Sequence, residues 1–500
     1  MSIFSEYLSA QIARKGINYS RLAQLSGVDR TLIHHMAQGR RKPSGPEVAE
    51  RLAAGLALTP EEREELLRRC RIVQIGEKTY LRRQAVQKML CGISMTGHWA
   101  APAAHNETDF IPPPVCCGAA QVRVLLQRLI DRERAVEGGT IDLLGQPENA
   151  FLLQLLQNAS AGSALHIRHI LCLDNGADAE ETNLRCLGEL LPTLLASGNY
   201  EAYHYYSALS SAAGHMTPFP ILLLTSSCAV QLNADYTAAI VSTGPAFHLL
   251  EKHFQESLRH CRPLARAADD LGHYLENYGI IWDRIQAGEK DTFLNLVPDL
   301  CCMPFLDREL LEAHLLQSLP DREVMVERLF QLTRKSLAGI REYPVVQFLC
   351  LEGVWRFLRT GRFSEAPDAF YTPISPAGRA RILRRVIQEA EAAEHFQLRL
   401  YNHTLLPFPD ALSLTIGLEE QTVCMNCRDA GSSFTALSLQ EPSLSNAFAD
   451  YFFSLLENPA VLSKQESLAR LRSIQKVFEK NGASDSTSSI VRRKNYSDDM

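Results

Sequence analysis

The 500-residue chain is 46% hydrophobic and 22% charged, the balance of a folded globular protein, and it is longer than one ordinary core fills, so two to four domains are expected. No apolar run reaches the roughly 18 residues of a membrane helix, and the N-terminus MSIFSEYLSAQIARKG lacks a signal peptide's apolar stretch, so a cytoplasmic protein without a membrane partner is expected. The net charge of −6 is uneven: residues 1–92 carry 16 Lys+Arg against 9 Asp+Glu, and residues 93–500 carry 35 against 48, as expected if only the head meets a polyanion.

In chain order, residues 2–16 place Phe4, Leu8 and Ile12 on one helix face and stop at Gly16. Ser20 is expected to cap SRLAQLS, with Gly27 ending it; Asp29 to cap RTLIHHMAQ, with Gly39 ending that. After Pro43 and Pro46, EVAERLAAGLAL buries Val48, Leu52 and Leu56, and Thr59-Pro60-Glu61-Glu62 is a capping box opening a fifth helix. These five helices form a bundle over 1–75. Residues 76–118 read as a helix and a proline-containing linker.

From Ala119 the pattern is mixed: helix AAQVRVLLQRLIDRERAVEGG, strand TIDLLG, helix ENAFLLQLLQNA, strands ALHIRHILCL and YEAYHYYSAL, two more strands in FPILLLTSSCAVQLNADYTAAIV, and helix PAFHLLEKHFQESLRHCRPL. A first α/β unit is placed at 119–262, a helical connection at 263–340, a second unit at 341–480 and a disordered tail at 481–500. FQLRLYNHTL, FPDALSLTIGLEEQTVCMNC and SNAFADYFFSLLEN repeat the order of elements seen around 200–260, so the body reads as two repeated units, with chance similarity of amphipathic elements as the alternative. The fold class is thus multidomain: an all-α bundle followed by a large α/β (α+β) body.

Within the head, Leu22-Ala23, Gly27-Val28, Ile33, Gly39-Arg40, Pro43, Ala53 and Leu56 resemble the helix-turn-helix of the phage repressor and Cro class, the XRE type. Independently of that resemblance, Leu22, Val28, Ile33 and Met36 should face inward, leaving Arg30, Thr31, His34 and His35 outward. The resemblance implies that this second helix enters the major groove, with Arg30 the candidate for guanine and Thr31, His34, His35 and Arg21 completing the reading face. Arg40, Arg41 and Lys42 would hold phosphates without reading sequence. The chain departs from the usual pattern at His34-His35 and Ala37, so no target sequence follows.

Other signals are read structurally. Thirteen cysteines among apolar neighbours (Cys172, Cys228, Cys350, and the pairs Cys116-Cys117 and Cys301-Cys302) suit buried, reduced thiols. Cys424 and Cys427 form a lone CxxC on an apparent strand, and His166 and His169 have helical metal-ligand spacing in a period-two stretch, so neither implies a metal. The duplicated body distantly resembles the phospholipase D fold, whose chemistry needs HxKxxxxD in each half; no HxK occurs in this chain. GxGxxG, GxxxxGK[ST], HExxH and GxSxG are absent too.

The expected function is a sequence-specific, non-enzymatic transcriptional regulator with double-stranded DNA as partner, no cofactor, a homodimeric state, and a body that senses a small-molecule or protein effector or oligomerises. A sensor pocket is expected where the two repeats meet, lined by residues such as His215, Phe219 and Asn402. The alternatives are a phosphodiesterase-like enzyme with a DNA-targeting head, and a protein-interaction module.

Overall fold

The computed structural model describes residues 2–93, 110–160, 164–176, 179–196, 199–207, 218–268, 291–364, 366, 368, 370–428 and 434–482. It comprises two compact units, 1–87 and 88–500. The first is helical: α1 (Ile3–Arg14), α2 (Tyr19–Ser26), α3 (Arg30–Ala37), α4 (Pro46–Gly55) and α5 (Pro60–Ile75), with α6 (Glu77–Cys91) running past its boundary. Phe4, Leu8, Leu22, Ile33, Met36, Leu52 and Leu66 are buried together in one core. Each such side chain contributes about 1.5–3 kcal/mol, which is what holds helices this short. The capping box at Thr59 and Glu62 forms as expected, with Pro60 opening α5.

The second unit is built on a single sheet. Its elements run β1 (Val115–Cys117), α7 (Ala119–Arg134), β2 (Thr140–Leu144), α8 (Ala150–Ser160), β3 (His166–Asp174), α9 (Ala179–Ala196), β4 (Asn199–Ser207), β5 (Ile221–Leu224), β6 (Ala229–Leu232), β7 (Ala238–Ser242), α10 (Gly244–Arg259), β8 (Arg262–Ala268), β9 (Phe293–Val297), a 3-10 turn at Met303–Phe305, α11 (Arg308–His314), α12 (Arg322–Glu342), β10 (Val345–Cys350), α13 (Leu351–Thr360), α14 (Pro376–Ala392), β11 (Phe396–Tyr401), β12 (Leu412–Gly417), β13 (Thr422–Arg428), β14 (Phe434–Leu439), α15 (Pro442–Leu455) and α16 (Lys464–Gly482). Fourteen strands among the described residues share one sheet in the order β1-β7-β6-β5-β2-β3-β4-β8-β14-β13-β12-β9-β10-β11.

Two runs of this order have the same pattern. β2, β3 and β4 are parallel, β5 pairs antiparallel with β2, and β6 and β7 continue as a meander. Likewise β9, β10 and β11 are parallel, β12 pairs antiparallel with β9, and β13 and β14 continue the meander. β8 is antiparallel to both β4 and β14 and joins the two runs. A polar network around the buried Glu441 crosses the same junction. The Tyr206 hydroxyl donates to Glu441 Oε1 at 2.7 Å, Ser443 Oγ donates to Glu441 Oε2 at 2.6 Å, and Asn183 Nδ2 donates to Ser443 Oγ at 3.3 Å.

The structure corrects several expectations. The stretch 263–340 is not a helical connection: it contains β8 and β9, and β9 lies between β10 and β12, so the second run begins at Phe293, well before 341. FPILLLTSSCAVQLNADYTAAIV forms three strands, because β5, buried at all four positions, carries no alternation to separate it from β6. β14 was also unforeseen. The tail from residue 483 and most of the linker, 94–109, lie outside the described residues. No described helix is long and apolar enough to cross a membrane.

Candidate nucleic-acid interface

The helix-turn-helix is set by groups at the ends of two eight-residue helices. Asn18, not Ser20, caps α2: its Oδ1 accepts the Arg21 N–H at 2.8 Å. Gly27 ends the helix in the left-handed conformation (φ 64°), donating its N–H to Ala23 O. Asp29 then caps α3 as expected, with Oδ1 accepting from Thr31 N at 2.9 Å and Leu32 N at 3.0 Å. At the far end Gly39 (φ 72°) donates to Met36 O at 3.1 Å and Arg40 N donates to His35 O at 2.9 Å, the paired bonds of a Schellman stop. This stop turns the chain sharply, so Arg40, Arg41 and Lys42 follow within one turn of the end of α3.

Leu22, Val28, Ile33 and Met36 are buried, as their spacing implied. Arg21, Arg30, Thr31, Arg40, Arg41 and Lys42 are exposed. The two histidines differ from expectation, since both are half-buried. The His34 ring packs edge-on to Tyr19 with centroids 5.2 Å apart, and its Nε2 lies 3.0 Å from Gln38 Nε2. His34 therefore braces α3 against the start of α2. Tyr19 and Gln38, the residues that fix it, carry no signal of their own in the sequence.

Charge separates the unit from the rest of the head. Between residues 18 and 45 there are five Lys or Arg and one acid, Asp29, which is occupied as a cap. Arg21, Arg30, Arg40, Arg41 and Lys42 take part in no ion pair among the described residues. Elsewhere in the head three carboxylates are held in ion pairs: Glu50 with Arg63 at 2.6 Å, Glu65 with Arg68 at 2.7 Å and Arg69 at 2.5 Å, and Glu62 with Arg14 and Lys15. Hydrogen bonding from Arg68 is the main reason the Glu65 carboxyl is lowered to about 2. Exposed cations with no ion pair among the described residues, here Arg21, Arg30, Arg40, Arg41 and Lys42, are suited to a polyanionic partner.

In the body, His166 and His169 lie on β3 and face opposite ways, so they cannot share a ligand. His169 is a satisfied core residue, with Nδ1 2.7 Å from the Tyr200 hydroxyl and Nε2 2.9 Å from Gly145 O. Cys424 and Cys427 are buried on β13, and burial pushes the first thiol up to about 11 and the second to about 12, away from thiolate chemistry. Cys301 and Cys302 are buried as expected, whereas of the pair Cys116-Cys117 only the first is. No group of three or more His, Cys, Asp or Glu among the described residues could hold a metal ion. Of the expected sensor residues, His215 lies outside the described residues. Asn402 is tied into the turn after β11, its Oδ1 accepting from Thr404 N at 2.8 Å.

No curated protein matches the chain. Among solved structures it is similar to polyphosphate kinase from Porphyromonas gingivalis, at 11% identity and a TM-score of 0.20, over 71% of this chain and 54% of that one. It is also similar to TrmBL2, an archaeal chromatin protein with a novel mode of DNA binding, at 12% identity and a TM-score of 0.20, over 52% of this chain and 94% of that one. The chain thus spans about half the length of the kinase, and similarity this low carries no argument about either protein's role. Residues 4–66 match the family model of a helix-turn-helix domain, so the helical head, from α1 into α5, is a helix-turn-helix domain followed by a large body of mixed sheet and helix.

Proposed function

We propose that the chain is a DNA-binding transcriptional regulator of the XRE, phage-repressor-like type, in which α3 enters the major groove and Arg40, Arg41 and Lys42 grip the sugar-phosphate backbone. One observation carries the reading: five exposed cations, none in an ion pair among the described residues, stand between positions 21 and 42 of a helix-turn-helix where the one acid, Asp29, is occupied as a helix cap. Arg30, exposed at the first position of α3, is the candidate for bidentate contact with guanine. Arg30→Ala is expected to cost about 1–3 kcal/mol on the preferred site and to relax preference at one base pair, with little effect on random duplex. Salt-dependent titration of the whole chain against genomic fragments, followed by selection of preferred sequences, tests both halves of this expectation. Absence of salt-dependent affinity for any duplex would overturn it.

The body is read as a duplicated α/β unit, distantly like the phospholipase D fold, used for sensing or pairing and not for catalysis. The matching strand orders support the duplication, as does the position of Phe219-Pro220 just before β5 and Phe408-Pro409 just before β12. The helices that close the two meanders, α10 and α15, each bury phenylalanines: Phe247 and Phe254 in one, Phe448 and Phe452 in the other. With no HxK in the chain, the nucleophile that such a fold would use is absent. A single helix-turn-helix covers one half-site, so a homodimer presenting two heads about one DNA turn apart is expected. Light scattering at micromolar concentration should report twice the chain mass, and a strict monomer both free and on DNA would rule the pairing out.

A further inference from the structure

The second run of strands carries a feature that neither packing nor DNA binding uses. Across its sheet, registered partners place Ser438, Cys424, Thr415, Asn295 and Gln347 in one row through five adjacent strands. Directly opposed residues share a face, and that face also carries Phe293, Val297, Val345 and Leu349 of the apolar core covered by α12. A polar row at the centre of such a face is unusual, because Val, Ile and Leu ordinarily fill buried parallel strands. Here it opens onto a cavity between the sheet, α12 and the 3-10 turn, lined by Asn295, Gln347, Ser413, Thr415 and Ser336 beside the apolar Phe293, Val297, Met303, Pro304 and Ile340.

The polar groups around this cavity are not satisfied by the protein. Gln347 and Ser413 are 1% and 3% exposed, and Gln347 Oε1, Ser413 Oγ and Asn295 Oδ1 are buried with no hydrogen-bond partner. Thr333 Oγ1, one turn before Ser336 on α12, is in the same state. Native interiors leave few such groups unpaired, and several around one cavity call for an occupant. Its chemistry follows from the lining. No Asp, Glu, Lys, Arg or His lines the cavity, so a charged molecule would lose its hydration without compensation. Two of the free atoms are amide oxygens, which only accept, so the occupant must bring O–H or N–H donors.

We infer that this cavity binds a small uncharged solute bearing convergent hydrogen-bond donors, hydroxyl or amide, with one apolar flank against Met303 and Pro304. This gives the sensing role proposed for the body a ligand class and a place. The binding step is independent of the head, so its failure would leave the DNA-binding reading intact.

The test is ligand-observed saturation-transfer NMR on the full-length protein, without DNA. One arm uses the polyols glycerol and erythritol, another the amides urea and propionamide, and a third the charged analogues glycerate and propionate. Transfer to at least one neutral probe and to neither charged one is expected, and the responding arm identifies the source of the donors. Gln347→Leu and, with almost no change of shape, Ser413→Ala should each reduce that transfer severalfold while the far-ultraviolet circular dichroism spectrum is retained. Gln347→Leu should also raise the melting temperature of the unliganded protein, since it removes an unpaired buried amide; a purely structural glutamine would give a fall. Absence of transfer, transfer indifferent to both substitutions, or equal transfer to the charged analogues would each overturn the inference. So would a high-resolution crystal structure grown with the neutral probes in which ordered water alone bridges Asn295, Gln347 and Ser413.

Discussion

Replacing Arg40, Arg41 and Lys42 together by alanine is expected to flatten the salt dependence of DNA binding by about 2.7 in the slope of log K against log salt, since each phosphate contact releases about 0.9 counterion. Between 50 and 200 mM salt the intact protein should then lose roughly 40-fold more affinity than the variant, on cognate and random duplex alike. The prediction is clean because all three side chains are exposed and none is in an ion pair among the described residues. The stop that shapes this loop uses the backbone N–H groups of Gly39 and Arg40, which alanine at position 40 retains. The fold of the head should therefore survive, with an unchanged melting transition. Arg30→Ala makes the opposite signature, a loss concentrated on one sequence with a slope change of about one at most. Parallel salt plots for intact and triply substituted protein would show that the loop lies away from the phosphates, and the proposed docking would have to be abandoned.

The head was legible because its signals are local. Gly27, Asp29, Gly39 and the Thr59–Glu62 box act within three or four residues of where they stand, and each works as its type implies. The one misassigned cap, Ser20 for Asn18, is a choice between two competent side chains two positions apart. It is decided by where the incoming chain turns, with Asn18 Oδ1 placed to meet the Arg21 N–H. The basic loop was legible for the same reason, since exposed charge needs no partner to be recognised.

The body was legible only where one face of a strand is wet. β4 alternates along YEAYHYY and was found, whereas β5 is buried on both sides, and β9, FLNLV, is nearly so; neither offers a period to read. β9 is also followed by α11 and α12, whose helical patterns dominate that region of the sequence. The polar cavity was illegible in principle. Asn295, Gln347 and Ser413 stand on three strands separated by dozens of residues, and only the register of β9 with β10 and β12 brings them to one face. The recurring order of strands was visible in the sequence, but the start of its second run was misplaced because β9, nearly buried on both faces, marks it.

Stability of the body should fall steadily as pH is lowered from 7 to 5, and His169 should be the main cause. Its ring is fully buried, and Gly145 O, which can only accept, fixes the proton on Nε2, leaving Nδ1 to accept from the Tyr200 hydroxyl. Both nitrogens are thus satisfied in the neutral form, and burial is the chief cause that lowers the imidazole to about 4, against a partial rise from the Gly145 carbonyl. An unfolded histidine takes up its proton near 6.5, so below that pH the unfolded chain binds more protons than the folded one and is favoured. The contribution is complete above about pH 7, is lost progressively below 6.5 and is gone below about 4. Over the interval from 7 to 5 this amounts to about 2 kcal/mol. His204, also lowered by burial, acts in the same direction. Asp142 and Asp291, both raised by burial, act in the opposite direction. His169→Gln keeps a donor and an acceptor but cannot titrate. Denaturant midpoints followed by circular dichroism at pH 7, 6 and 5 should fall markedly for the natural chain and much less for the variant, whatever the variant loses in absolute stability. Two parallel profiles would mean that His169 is already protonated in the fold, and that the Tyr200 oxygen, not its hydroxyl hydrogen, faces Nδ1.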